Sequence, residues 1–199
     1  MADEPQTVPH GDPLLHPPAP VSEAETGPHE HEIGWRALLK PSLLIAAAVI
    51  VLFDQATKAL VGAAIPLYES VTIIPGLLDF THVRNTGAAF GLMNAADVPM
   101  KGAIMIGMAL VAIVAIGAYG ATLRANENIA RAGLALVLGG AIGNLIDRAR
   151  LGYVLDFVDV YSGTWHFWAF NVADAAISVG ALLVIFDLLG LRRHASHTV

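Results

Sequence analysis

GAIMIGMALVAIVAIGAYGATL, residues 102–123, runs for 22 residues without a charged side chain. A lipid hydrocarbon core about 30 Å thick is crossed by about 20 apolar residues in a helix. At about 1.5 Å per residue this stretch reaches about 33 Å. It reads as a membrane span, and it makes the chain an integral membrane protein. Composition agrees. The 199 residues are 55% hydrophobic and only 14% charged, where soluble domains carry about 25% charge. Mean hydropathy is +0.61.

Three further spans flank this one, near residues 43–65, 129–147 and 172–191. The first follows Pro41, which the opening turn of a helix tolerates, and it ends at Pro66. The third is rich in small residues, and Gly139 and Gly143 form a pair that lets membrane helices approach closely. The bias of Lys and Arg places both termini on the cytoplasmic side. Arg36, Lys40, Arg124, Arg131, Arg192 and Arg193 fall inside; Arg84, Lys101, Arg148 and Arg150 fall outside. The two outer connections are not plain loops. Residues 71–74 and 77–83 are β-branched or apolar and are broken by the turn signal Pro75-Gly76. Residues 152–161 read the same way, and residues 164–170 are rich in aromatics. The expected fold is an all-α membrane protein, four transmembrane helices with a small β-rich cap at the outer membrane face.

The net charge of −6 belongs to a tail. Residues 1–32 hold seven acids and no Lys or Arg, leaving ten acids against eleven bases elsewhere. Residues 1–33 also carry seven of the eleven prolines and four of the eight histidines. Such a segment buries too little apolar surface to offset chain entropy. It is expected to be a disordered cytoplasmic extension, dispensable for activity, with residues 34–193 forming the membrane domain and 194–199 a short cytoplasmic tail. His29-Glu30-His31-Glu32 lacks a preformed metal site, and no metal or cofactor is expected. No basic stripe points to nucleic acid. The absence of cysteine excludes disulfides and a thiol nucleophile.

Ionisable groups inside a span are costly and point to function. Asp54 and Lys58 stand at i and i+4, the favourable order for an ion pair; structural pairing and support of a site both fit. Asn85-Thr86-Gly87 reads as a turn or as a place where a ligand meets the backbone. Asn144 and Arg148 share a helix face one turn apart, and Arg148 suits either an interfacial anchor or a grip on a carboxylate or carbonyl. Asp156 lies in a strand, on the face opposite Leu155 and Phe157. A solvated edge is the plain alternative, and Asp159 is a rival for any role. Asn171 suits the N-cap of the last span, with Asp174 at N3.

Two carboxyls that share a proton can hydrolyse an amide without metal or covalent nucleophile. Repulsion separates their pKa values, so one ionised member activates water while the neutral one donates. There is no Gly-x-Ser-x-Gly elbow and no His-Glu-x-x-His motif. A proton- or cation-coupled transporter and a non-catalytic assembly factor remain competing classes. Uptake without cleavage would mark the first, and survival of function without Asp156 and Asp174 the second.

Five blocks, in order and spacing, resemble the bacterial lipoprotein signal peptidases, also called signal peptidase II, over about residues 40–190. They are Phe53-Asp54-Gln55-Ala56-Thr57-Lys58, Arg84-Asn85-Thr86-Gly87-Ala88-Ala89-Phe90, Gly143-Asn144-Leu145-Ile146-Asp147-Arg148, Gly152-Tyr153-Val154-Leu155-Asp156-Phe157 and Phe170-Asn171-Val172-Ala173-Asp174. The resemblance implies a monomeric aspartic endopeptidase of the inner membrane, with both termini cytoplasmic and its site near the periplasmic face. It implies, as partners, membrane lipid and a diacylglyceryl-modified prolipoprotein that is cut before the lipidated cysteine. It implies a catalytic pair, Asp156 and Asp174, with Asp54, Lys58, Asn85, Gly87, Asn144, Arg148 and Asn171 binding substrate or supporting the pair. Two features depart from the family pattern: the extension over residues 1–33, and Trp168, where a proline is expected.

Overall fold

The computed structural model describes residues 41–87, 99–123 and 127–190. The readings that concern residues 1–33, Arg36, Lys40, residues 88–91, Arg124 and Arg192-Arg193 lie outside the described residues. The elements run α1 (Pro41–Ala64), β1 (Ser70–Ile74), β2 (Leu78–Asn85), α2 (Lys101–Thr122), α3 (Asn128–Leu151), β3 (Val154–Ser162), β4 (Trp165–His166) and α4 (Val172–Leu188). Three helices, α1, α2 and α3, are long and apolar enough to cross a membrane. At 17 residues, α4 is shorter.

The helices are built outside-in relative to a soluble bundle. Their large apolar side chains face outward: Leu52 and Leu60 on α1, Val111 and Val114 on α2, Leu182 on α4. In lipid such residues lose nothing by facing outward, so small residues form the contacts instead. Helix α3 is the buried centre. A methyl at Gly139 would stand 2.8 Å from the Ala47 carbonyl oxygen of α1, and one at Gly143 2.6 Å from Asp54 Oδ2. The opposite face packs on α4: Gly140 lies against the Ala173 carbonyl, and Gly133 and Gly180 oppose one another, each Cβ position 2.5–2.6 Å from the other's carbonyl oxygen. Overpacking a tight contact costs about 1–3 kcal/mol. Gly140→Ala should lose that much and lower the thermal midpoint in detergent. Gly107→Ala, whose new methyl meets nothing within 4 Å, should not. Equal midpoints for the two variants would contradict the packing argument.

Helix α3 runs past the boundary read from the sequence, to Leu151 rather than residue 147. Asp147 is neutralised 2.8 Å from Lys58 Nζ and the helix continues past it. Gly152 stops it in the left-handed conformation, at φ 79°, where glycine alone lacks a Cβ penalty.

The connections form one antiparallel sheet in the order β1-β2-β3-β4. Gly76, also at φ 79°, turns β1 into β2. In the β2–β3 ladder Val83 stands opposite Asp156 and Asn85 opposite Val154, with a bulge between Phe80 and Val83. Leu155 and Phe157 join Val61 of α1 and Ile65 just beyond it in an apolar seam, which fixes the root of β3 to the helices. Phe80 packs edge-on against Phe157 at 5.8 Å. The stretch containing Trp168 hangs on β3 through Phe167 N–H to Val160 O (2.8 Å) and Phe170 N–H to Val158 O (3.1 Å). Trp168 itself is exposed, so the loop holds its shape without a proline.

Candidate active site

Seven polar side chains, Asp54, Lys58, Asn85, Asn144, Asp147, Asp156 and Asn171, are buried. They lie where the ends of α1 and α3, the start of α4 and the root of β3 converge. Each has its partners. Buried polar groups without partners are costly, so a cluster this complete is a specified geometry.

The start of α4 is one anchor. Asn171 Oδ1 accepts from Asp174 N–H at 3.0 Å, and Asp174 Oδ2 accepts from Asn171 N–H at 3.3 Å. This reciprocal capping box locks the Asp174 rotamer. It does not exhaust either side chain. Asp174 Oδ1 accepts from Asn144 Nδ2 at 2.8 Å, and Asn171 Nδ2 donates to Asp156 Oδ1 at 2.7 Å and to Asn144 Oδ1 at 3.3 Å. Asp156 and Asp174 are thus joined through two bridging asparagines, one on α3 and one at the cap of α4.

Asp156 takes a second hydrogen bond, from Asn85 Nδ2 to Oδ2 at 3.0 Å. Only 2% of it is exposed, which removes the solvated-edge alternative. Burial first, and then the charge of nearby Asp174, push its carboxyl up to about 7 against the opposing pull of Asn85, Asn171 and Lys58. Asp159, the rival, lies farther along the strand, 2.9 Å from exposed His166 Nδ1.

Lys58 is the second anchor. Its Nζ is 2.8 Å from Asp54 Oδ2, 2.8 Å from Asp147 Oδ2 and 3.0 Å from Asn144 Oδ1. Asp54 Oδ1 accepts from Ala173 N–H at 2.9 Å. Asp147 Oδ2 accepts from Leu155 N–H at 3.3 Å. Gln55 Nε2 binds Asp147 Oδ1 at 2.9 Å. The Asp54–Lys58 pair is therefore more than a bare ion pair. It ties α1 to the chain neighbours of both candidate catalytic aspartates.

Arg148 donates from Nη2 to Gly87 O at 2.9 Å, and Gly87 N–H donates to Asn85 Oδ1 at 2.9 Å. Asn85 ends β2 with its side chain folded onto Gly87 N–H, and Arg148 holds Gly87 against the cluster. Asn85, Asn144, Arg148 and Asp174 line a cavity of about 240 Å³ together with apolar residues of α2, Met105 and Met108 among them, and with Ala141, Val154 and Ile177. The cavity thus offers polar groups, Asp174 among them, next to apolar surface.

All nine residues singled out in the sequence, Asp54, Lys58, Asn85, Gly87, Asn144, Arg148, Asp156, Asn171 and Asp174, meet in this one cluster. Asp147 and Gln55 were missed. The signal for Asp147 was present: it lies three residues after Asn144, on the same helix face. Gln55 carried none beyond adjacency to Asp54.

A family model for signal peptidase (SPase) II matches residues 46–190. The chain belongs to the signal peptidase II family. Membership makes it a membrane-bound signal peptidase. Similar curated proteins agree in name. The lipoprotein signal peptidase of Geobacter metallireducens is 45% identical over 152 residues, covering 76% of this chain and 93% of its own. That of Geobacter sulfurreducens is 45% identical over 157 residues, covering 76% and 95%. The enzyme of Syntrophus aciditrophicus is 41% identical, covering 77% and 95%. A bacterial membrane enzyme solved in meso at 2.3 Å resolution superposes with a TM-score of 0.68 at 27% identity, covering 79% of this chain and 93% of its own. A second, at 1.9 Å resolution, gives 0.66 at 26% identity, covering 74% and 92%. The matched region contains all five sequence blocks of the site, so the family and the buried polar cluster concern the same part of the chain.

Proposed function

We propose that this signal peptidase removes signal peptides from diacylglyceryl-modified prolipoproteins, cutting before the lipidated cysteine with Asp156 and Asp174 as an aspartic dyad. The single observation that carries the reading is the asparagine bridge between the two carboxyls, Asn171 on Asp156 and Asn144 on Asp174. The enzyme spans the bacterial inner membrane four times, with α4 as the fourth span, and acts as a monomer. Both termini are cytoplasmic and the dyad lies near the periplasmic face. The extension over residues 1–33 is not needed for cleavage.

Amide hydrolysis follows from one proton shared between two carboxyls, which titrate as a unit. The ionised member takes a proton from water as the oxygen attacks the scissile carbonyl. The neutral member donates its proton to the carbonyl oxygen. Proton return to the nitrogen releases the amine. Asn85, Asn144 and Asn171 hold the carboxyl planes fixed, and Arg148 offers its remaining donors to the peptide backbone. The apolar wall formed by α2 receives an acyl chain of the modified cysteine.

The singly protonated pair exists only below the upper titration. Since that of Asp156 lies at about 7, kcat/KM on a lipidated substrate should fall as pH rises through about 7. Asn85 donates to Asp156 and stabilises its ionised form. Asn85→Ala should therefore slow cleavage and move the alkaline limb to higher pH. A limb that stays put, or moves down, would contradict this wiring. The test of the function itself is cleavage by detergent-purified enzyme of one prolipoprotein with and without its diacylglyceryl group. Release of the signal peptide from the lipidated form alone is expected; equal cleavage of both forms would remove the lipid from the recognition scheme, and cleavage of neither would sink the proposal.

A further inference from the structure

Arg131 stands in the first turns of α3, at the end remote from the polar cluster. The 13 residues to Asn144 put about 20 Å of helix between them. In the sequence it reads as a charge flanking a membrane span. The structure buries it, at 3% exposure. Nη2 donates to Leu123 O at 3.1 Å, which satisfies a carbonyl at the end of α2. Nε and Nη1 have no hydrogen-bond partner among the described residues. A guanidinium is always charged and presents five donors in a planar fork matched to carboxylate or phosphate, so those two groups lack acceptors among the described residues.

Beside the guanidinium a cavity of about 170 Å³ opens between α1, α2 and α3. Leu43, Leu44, Ile116, Gly117, Leu134 and Leu138 line it, and among the described residues Arg131 is its one polar lining residue. A free anion would satisfy the arginine and leave the apolar walls empty. An uncharged lipid would fill the walls and leave the arginine unpaired. A phosphodiester carrying acyl chains meets both demands, and pockets that pair a basic residue with helix grooves take such headgroups.

We propose that this recess is a binding site for an anionic phospholipid, with the phosphate on Nε and Nη1 of Arg131 and one acyl chain entering the groove between α1 and α2. Under the orientation proposed above, the lipid belongs to the cytoplasmic leaflet. The binding itself does not depend on that orientation or on the peptidase chemistry. The site stands apart from the substrate cavity and binds a structural lipid.

The full chain, purified in detergent and freed of lipid, is titrated with dioleoyl-phosphatidylglycerol, dioleoyl-phosphatidylcholine or inorganic phosphate. Retention is read by native mass spectrometry and stability by the thermal midpoint, with no substrate present. Phosphatidylglycerol should be retained and raise the midpoint, and the other two should not. Arg131→Gln should weaken retention by about tenfold or more and abolish the rise. Gly117→Leu puts a side chain where a Cβ meets nothing within 4 Å; it should fill the groove and weaken retention with Arg131 intact. It also carries the test should Arg131→Gln fail to fold. Unchanged retention in either folded variant overturns the proposal. Equal retention of the two lipids does the same. A midpoint rise with inorganic phosphate as large as with lipid would make the site one for free anions and overturn the lipid assignment.

Discussion

Asp156→Asn or Asp174→Asn should lower cleavage of a lipidated prolipoprotein by at least about a thousandfold, within the range that positioned acid–base groups contribute. An amide neither takes a proton from water nor donates a carboxyl proton to the carbonyl. Each substitution should remove the shared-proton chemistry whole, so the double variant should be little worse than either single one. The surroundings sharpen the expectation. Both oxygens of Asp156 accept from amide nitrogens, those of Asn171 and Asn85. Both oxygens of Asp174 accept as well, from Asn144 Nδ2 and Asn171 N–H. An asparagine at either place turns one acceptor into a donor and sets two N–H groups against one another. Some loss of thermal stability therefore accompanies the loss of rate, and the two are measured together. Asn144→Ala serves as the comparison: it breaks the bridge but leaves both carboxyls, so it should slow cleavage less than either aspartate variant. Normal rates in a folded Asp156→Asn or Asp174→Asn enzyme would end the dyad assignment.

Much of this was legible in the sequence because membrane spans and caps are local signals. Residues 102–123 declare a span by composition alone, and α2 occupies 101–122. Asn171 and Asp174 fit an N-cap and N3 by spacing, and the capping box is there. Ends marked by charge were less legible. Asp147 looked like the place where α3 leaves the apolar phase, because nothing local announces that Lys58, 89 positions earlier, neutralises it. Arg131 misled in the opposite sense. Topology rules read a flanking arginine as solvated, whereas the packing of α2 against α3 buries it. The bridging role of Asn144 and Asn171 was beyond sequence reasoning too, since it exists only once three elements converge.

Lys58→Met should cost about 3–5 kcal/mol of stability, the penalty for leaving buried carboxylates without their counter-charge. Asp54 and Asp147 each lie 2.8 Å from Nζ, and both are almost wholly buried. The methionine fills the space of the lysine stem and removes only the charge and its hydrogen bonds. Repulsion between the two carboxylates is then unopposed, and their hydrogen bonds to Ala173 N–H and Leu155 N–H are the contacts that give way. Ala173 precedes Asp174 in the chain and Leu155 precedes Asp156. Loosening those two backbone positions moves both catalytic carboxyls, so cleavage should fall with stability even though Lys58 lies behind the dyad. Adding Asp147→Asn separates the two effects. In the Lys58→Met background it removes one of the repelling charges and should restore part of the thermal midpoint, whereas in the wild type it should lower it. That reversal of sign is a coupling a double-mutant cycle measures directly. Cleavage should stay low in the double variant, because Asn144 Oδ1 has lost the Lys58 donor that keeps its amide nitrogen turned toward Asp174. If Asp147→Asn destabilised both backgrounds equally, Lys58 would not be the charge that holds this cluster together.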